Sequence, residues 1–248
     1  MRSVEGGNAG RFVRELPSPV PIHSLDARIT PERAYKYRQV LARRTTRLVV
    51  VIEDCYDPHN ATAILRTCDT MGIHRCVVTT ANNGFRVNPQ VSQGVHRYLD
   101  LHVLPDIDAA ANLLKPLGYR FWVTDLTTDA AVGPAQLLPR IAESPIAVIF
   151  GNEGHGISAR ARELADGAFL LPMSGFSQSL NLSVSVAMTL QALRGAAVAD
   201  DVPGDLSAET QCATYDSWVR AYCGEAPTGP PSQPAVGKHG EAVEEFRG

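Results

Sequence analysis

The sequence is poor in cysteine, in aromatic residues and in long apolar runs. Its five cysteines, Cys55, Cys68, Cys76, Cys212 and Cys223, are an odd number and none are spaced as CxxC. That excludes a fully paired disulfide framework and a zinc knuckle, so the thiols are expected to be reduced and mostly structural. No His, Cys and carboxylate cluster stands at ligand spacing, and no metal is expected. The longest apolar runs, Leu48–Ile52 and Ile146–Phe150, have five residues each, against about 20 for a membrane-crossing helix. The opening Met1-Arg-Ser-Val-Glu-Gly-Gly has no secretory apolar segment, so a cytoplasmic location is expected. An excess of one charge is missing too, with 23 basic against 26 acidic residues.

What is present is a 44% hydrophobic chain of 248 residues, enough to bury a globular core. Charge is concentrated locally. Between Asp26 and Arg47, seven basic residues (Arg28, Arg33, Lys36, Arg38, Arg43, Arg44, Arg47) face only Asp26 and Glu32, with Tyr35 and Tyr37 interleaved. Two readings stand side by side: a phosphate-backbone contact through Arg33, Lys36, Arg43, Arg44 and Arg47, or a solvated helix face of ordinary charge.

Residues 1–25 carry Pro17, Pro19 and Pro21, and residues 224–248 carry Pro227, Pro230, Pro231 and Pro234. Both ends are expected to be poorly ordered, leaving one domain over 26–223. Within it, helical patterns near 31–45, after Asn60, over 106–117, 158–165, up to Arg194 and over 207–222 alternate with apolar runs. The runs lie at 48–53, 76–80, 101–104, 119–124, 146–150 and 168–171. This alternation predicts an α/β fold, a mostly parallel sheet with helices on both faces. Ligands of such sheets sit at the carboxyl ends of the strands.

Three segments carry candidate chemistry. In Asp57–Gly72, Asn60 suits an N-cap, Gly72 a C′ position, and Ala61, Ile64, Leu65 and Cys68 form one helical face. Arg66 lies about 140° round from Ala61 at about 100° per residue, off the apolar stripe; alone it reads as a solvent-facing arginine. In Ile146–Ser158 a buried strand runs into Gly151-Asn-Glu-Gly-His-Gly156 and a Ser158-capped helix, so main-chain amides are presented at a strand end. The glycine order fits neither a dinucleotide fingerprint nor a phosphate-binding loop with its lysine. In Leu170–Arg194, Ser179–Val186 alternates polar and apolar like a strand, but continues into a helix-forming stretch with Leu182, Val186, Leu190 and Leu193 in stripe. A turn followed by a helix is expected, with Ser179 and Asn181 at its start.

Together, in this order, the segments resemble the SpoU/TrmH branch of the RNA 2′-O-methyltransferases. Asn60 followed six residues later by Arg66 is similar to the first family motif, Phe150–Ser158 to the second and Leu171–Val184 to the third. Pro-His-Asn, Ala-Ile-Leu-Arg-Thr-Cys-Asp and Leu-Ala-Asp-Gly-Ala look most like the TrmH members, which methylate guanosine 18 of tRNA. The resemblance covers roughly residues 30–220. It implies a C-terminal trefoil knot, an exception to the rule that chains are unknotted. A homodimer and S-adenosylmethionine as cofactor are implied as well. By position it makes Arg66, Asn60, Ser179, Asn181 and Glu153 the catalytic set. Thr124, Phe150, Gly151, Asn152, Gly156, Leu171, Met173 and Leu180 become the cofactor pocket. Rival readings are a ribosomal RNA methyltransferase of the same branch and a non-catalytic RNA-binding dimer.

Overall fold

The computed structural model describes Phe12 and residues 14–85 and 94–226. Among them are six strands, β1 (Leu48–Glu53), β2 (Arg75–Thr79), β3 (Asp100–Leu104), β4 (Arg120–Thr124), β5 (Ile146–Phe150) and β6 (Gly167–Phe169). They pair in parallel as one sheet ordered β3-β2-β1-β5-β4-β6. The described helices are α1 (Pro31–Leu41), α2 (Pro58–Thr70), α3 (Ile107–Leu114), α4 (Leu138–Glu143), α5 (Ala159–Leu164), α6 (Leu182–Ala199) and α7 (Ala208–Cys223).

The central strand β1 is buried along its whole length, which is why it reads as an unbroken aliphatic run. Leu48, Val50 and Ile52 face Ile64, Leu65 and Cys68 of α2 and Val186, Leu190 and Leu193 of α6. Val49 and Val51 face the opposite layer, with Ile107, Ala110 and Leu114 of α3 and Ala161 of α5. Period-2 alternation thus feeds two cores from one strand. Truncating a fully buried member such as Ile64 to alanine is worth about 2–5 kcal/mol.

Several boundaries differ from expectation, each for a local reason. Proline at the first position of α2 moves the cap to Asp57, whose carboxylate accepts the His59 N–H at 2.8 Å. Asn60 therefore lies inside the first turn. Gly72 does follow the helix, after the C-cap Met71. Strand β6 ends at Phe169, so Leu170 and Leu171 continue as loop. The alternating stretch resolves as helix: Asn181 caps α6, its Oδ1 accepting from Ser183 N–H at 2.9 Å. By length and composition α6 is apolar enough to cross a membrane. Its Leu182, Val186, Leu190 and Leu193 are nevertheless packed in the core beside α2. The turn at Pro134–Leu137 and α4 were not anticipated.

Of the leader expected to lack order, residues 14–25 are packed. Leu16 and Val20 are buried, and the buried Gln39 amide both accepts from Leu16 N–H (2.9 Å) and donates to its carbonyl (2.8 Å). One glutamine thereby satisfies the backbone of an extended, proline-bearing segment. Val20, Ile29, Tyr37 and Leu41 join Tyr215, Trp218 and Val219 of α7 in a third cluster. Residues 1–11, 13 and 227–248 lie outside the described residues. All five cysteines are free, with Cys55, Cys68 and Cys76 buried.

Candidate active site

The carboxyl ends of β4 and β5, with the segment 170–181, enclose a cleft of about 600 Å³. Thr124, Phe150, Gly151, Asn152, Gly156, Leu171, Met173 and Leu180 all line it, as do Glu153, Ser179 and Asn181. The loop after β5 is tied by its own backbone: Asn152 N–H donates to Gly156 O at 3.0 Å and Gly156 N–H returns to Asn152 O at 2.8 Å. Asn152 Oδ1 accepts from Gly154 N–H at 2.7 Å, and its Nδ2 donates to Asp54 O at 2.7 Å. Glycine is required at 151, where a Cβ would lie 2.2 Å from the Gly156 carbonyl carbon, and at 156, where φ is +67°.

A polar chain links the three segments. Glu153 Oε1 accepts from Asn60 Nδ2 at 3.0 Å, and Asn60 Oδ1 accepts from Asn181 Nδ2 at 3.0 Å. The Glu153 carboxylate also accepts from the Cys55 thiol (3.0 Å) and Tyr56 N–H (2.9 Å). Burial pushes its pKa up, but the Asn60, Cys55 and Tyr56 donors outweigh that and bring it down to about 2. Glu153 is therefore an anion at neutral pH. Burial and the adjacent Glu153 push the Cys55 thiol up, so it stays protonated.

Asn60 is buried behind the cleft and not on its surface. Arg66 lies neither in the polar chain nor in the cleft lining; it is exposed on α2. Among the lining residues not singled out in the sequence are the polar Asp125, Thr127, His155 and Arg162. Burial raises the Asp125 pKa, but Thr127 and Arg162, the latter 2.8 Å away, more than reverse this. Its position directly after β4 was the available signal.

The basic segment requires correction. Arg44 has no exposed side-chain surface; it donates to Asp69 and to Ile73 O. Arg43 pairs with Asp201 at 2.5 Å, and Arg47 donates to Ile141 O (2.7 Å) and Ala142 O (2.9 Å). These three hold the fold together and are spent on internal partners. Arg33, stacked 3.9 Å over the Tyr222 ring, and the exposed Lys36 remain on the surface. Among the described residues no group of three or more His, Cys, Asp or Glu is placed to hold a metal.

A family model described as the SpoU rRNA methylase family matches residues 47–191, more than half the chain. The chain belongs to the SpoU rRNA methylase family. As a SpoU methylase it is a methyltransferase, and its cleft is built from the segments the family match spans. A relative from Thermus thermophilus, named tRNA (guanosine(18)-2′-O)-methyltransferase, is 38% identical over 161 residues, covering 65% of this chain and 81% of the relative. The crystal structure of the Aquifex aeolicus TrmH/SpoU tRNA modifying enzyme superposes with a TM-score of 0.69 at 25% identity, covering 77% of this chain and 96% of that one. The SpoU methyltransferase AviRb from Streptomyces viridochromogenes, in complex with AdoMet, shares the fold at TM-score 0.55 and 20% identity over 64% of each chain.

Proposed function

We propose that this SpoU methylase transfers a methyl group from S-adenosylmethionine to the ribose 2′-hydroxyl of guanosine 18 in tRNA. The observation that carries this is the Glu153–Asn60–Asn181 chain behind the cleft. Residues from three distant segments converge there, in a chain 38% identical to a named tRNA (guanosine(18)-2′-O)-methyltransferase. The cleft suits the cofactor: about 600 Å³ falls within the range of small-molecule sites. Its walls combine apolar Phe150, Leu171 and Leu180 with the main chain of Gly151–Gly156.

When bound, S-adenosylmethionine supplies a sulfonium-activated methyl group whose displacement needs no metal. The chain's own task is to position the ribose and to manage the proton of a hydroxyl barely ionised at neutral pH. Ionised Glu153 fixes the Asn60 amide, and Asn60 in turn orients Asn181 at the cleft wall. A guanidinium such as that of Arg66 is an unpromising general base. The Arg66 guanidinium instead engages the adjacent phosphate and stabilises negative charge developing on the 2′-oxygen, while the hydroxyl proton leaves to that phosphate or to water and the demethylated cofactor departs as a neutral thioether. Because Arg66 is exposed and off the cleft of its own protomer, it acts across the interface of a homodimer. The exposed Val184 and Met188 of α6 supply part of that interface. In this reading the C-terminal segment threads a trefoil knot and the enzyme works in the cytoplasm.

Mapping ribose methylation on in vitro transcribed tRNA with labelled cofactor tests the proposal. Modification at guanosine 18 that vanishes when the D-loop is deleted is expected. Methylation of ribosomal RNA fragments alone would overturn it, as would a fully active monomer by light scattering at micromolar concentration.

A further inference from the structure

Each of the three segments that build the site carries or directly adjoins an exposed ring. Phe176, in the segment leading to α6, is 109% exposed, and Tyr56, in the loop before α2, is 74% exposed. They are the two most exposed aromatic rings among the described residues. His155, in the loop after β5, is exposed and lines the cleft. Tyr56 is held at the site by its own N–H, which donates to Glu153. Phe176 lies between Met173 and Ser179, both cleft-lining.

This placement departs from the rest of the molecule. Most of the other described aromatics are packed, as in the Tyr37, Tyr98, Tyr215 and Trp218 cluster, and the exposed Tyr35 and Tyr222 are each less than half exposed. A phenylalanine held fully in water gains nothing from burial within its own chain. Its neighbours Ser174, Gly175, Ser177 and Gln178 are exposed too, so the ring stands alone in a polar segment. Protein interfaces gather apolar side chains into a contiguous centre, as the exposed Val184 and Met188 of α6 do. An isolated flat apolar face in polar surroundings instead matches a flat partner with polar edges. Bases splayed from an RNA loop have that shape and stack on aromatic rings.

We propose that Phe176 and Tyr56, with His155, form a stacking platform for unpaired bases beside the ribose to be methylated. The inference rests on the RNA-methyltransferase reading and names how the site selects loops over helices. A 2′-hydroxyl within a duplex has stacked neighbours that offer no free base face. An unstacked loop offers one on either side of the target.

The test uses the full chain, in vitro transcribed tRNA and S-adenosylmethionine, with Phe176→Ala, Tyr56→Ala, Phe176→Leu and Phe176→Trp. Each alanine variant is expected to raise KM for tRNA by about 5- to 150-fold, the range for one lost base stack. Cofactor affinity by calorimetry and dimer mass by light scattering should stay unchanged. The salt dependence of tRNA binding should keep its slope, because no phosphate contact is removed. Tryptophan restores KM and leucine does not, since leucine is apolar without a π-face. Unchanged KM in both alanine variants, leucine as effective as tryptophan, or dissociation of the dimer would each overturn the platform. If the wild type methylates only ribosomal RNA fragments, the tRNA reading falls by itself. The same KM comparison on those fragments then decides the platform.

Discussion

The two ends of the sheet use their polar residues in opposite ways. At the amino ends of the strands, cations are consumed by internal partners: Arg44 by Asp69 and Ile73 O, Arg43 by Asp201, Arg47 by two carbonyls of the α4 region, and Arg75 by Asp100 at 2.6 Å. At the carboxyl ends, polar groups are ordered by one another yet keep faces toward the cleft, as Glu153, Asn181 and Asp125 do. Charge density in the sequence is highest at the first end, while chemistry is assembled at the second. A basic run thus reports where cations occur along the chain, and burial decides whether they face a ligand or a carbonyl.

The sharpest way to break this contrast is to set the exposed Arg66 of α2 against the buried Arg44. Arg66→Ala should lower methyl transfer by about 10²–10³-fold, the cost of losing one preorganised charge stabiliser. Calorimetry should find cofactor affinity within a few-fold, and the melting temperature should barely move. Turnover above about a tenth of wild type would remove Arg66 from its role. Arg44→Met should do the reverse. It leaves Asp69 without its cation and Ile73 O without its donor, at about 3 kcal/mol of stability in urea unfolding, because the lost partner is buried. Residual folded protein should methylate normally.

A smaller effect separates the carboxyl end by pH. The Glu153 pKa lies near 2 against 4.5 for an ordinary glutamate, so the folded state binds the proton less readily than the unfolded chain. Its contribution is complete above about pH 4.5 and is lost as pH falls toward 2. Discounted for solvent screening, it amounts to about 1 kcal/mol. Glu153→Gln should flatten that limb in acid unfolding curves, and an unchanged limb would contradict the network. The smallest effect belongs to the surface cations that remain. Replacing Arg33 and Lys36 with alanine should weaken tRNA binding and reduce its salt slope by up to about 0.9 per lost phosphate contact, without moving the methylated nucleotide.

Strand positions were legible because buried parallel strands are written as aliphatic runs, and Leu48–Ile52 and Ile146–Phe150 both became neighbouring strands. The eight positions carried over from the family resemblance border one cavity, while Asp125, Thr127 and Arg162 of the same lining were not singled out. Asn60 was misread as a cap because its real partners, Glu153 and Asn181, stand 93 and 121 residues away. Capping is a local pattern, whereas that pairing exists only after the sheet has formed. Arg44 was misread because helical periodicity stops at Leu41, leaving no rule for which way the next side chains point.

The same long separations set a timetable for synthesis. Strand β1 must pair with β5, and Asn60 must meet Asn181, 121 residues later in the chain. At about 5–20 residues per second that interval lasts about 6–24 s. For the first part of it, until Ile146–Phe150 has been made, Leu48–Ile52 has no β5 to cover one edge, and such an unpaired aliphatic strand is a template for the wrong neighbour. Methylating competence therefore arrives late and all at once, when α6 emerges to close the core over α2. A nascent or truncated chain ending before Asn181 would be an aggregation hazard rather than a partly active enzyme.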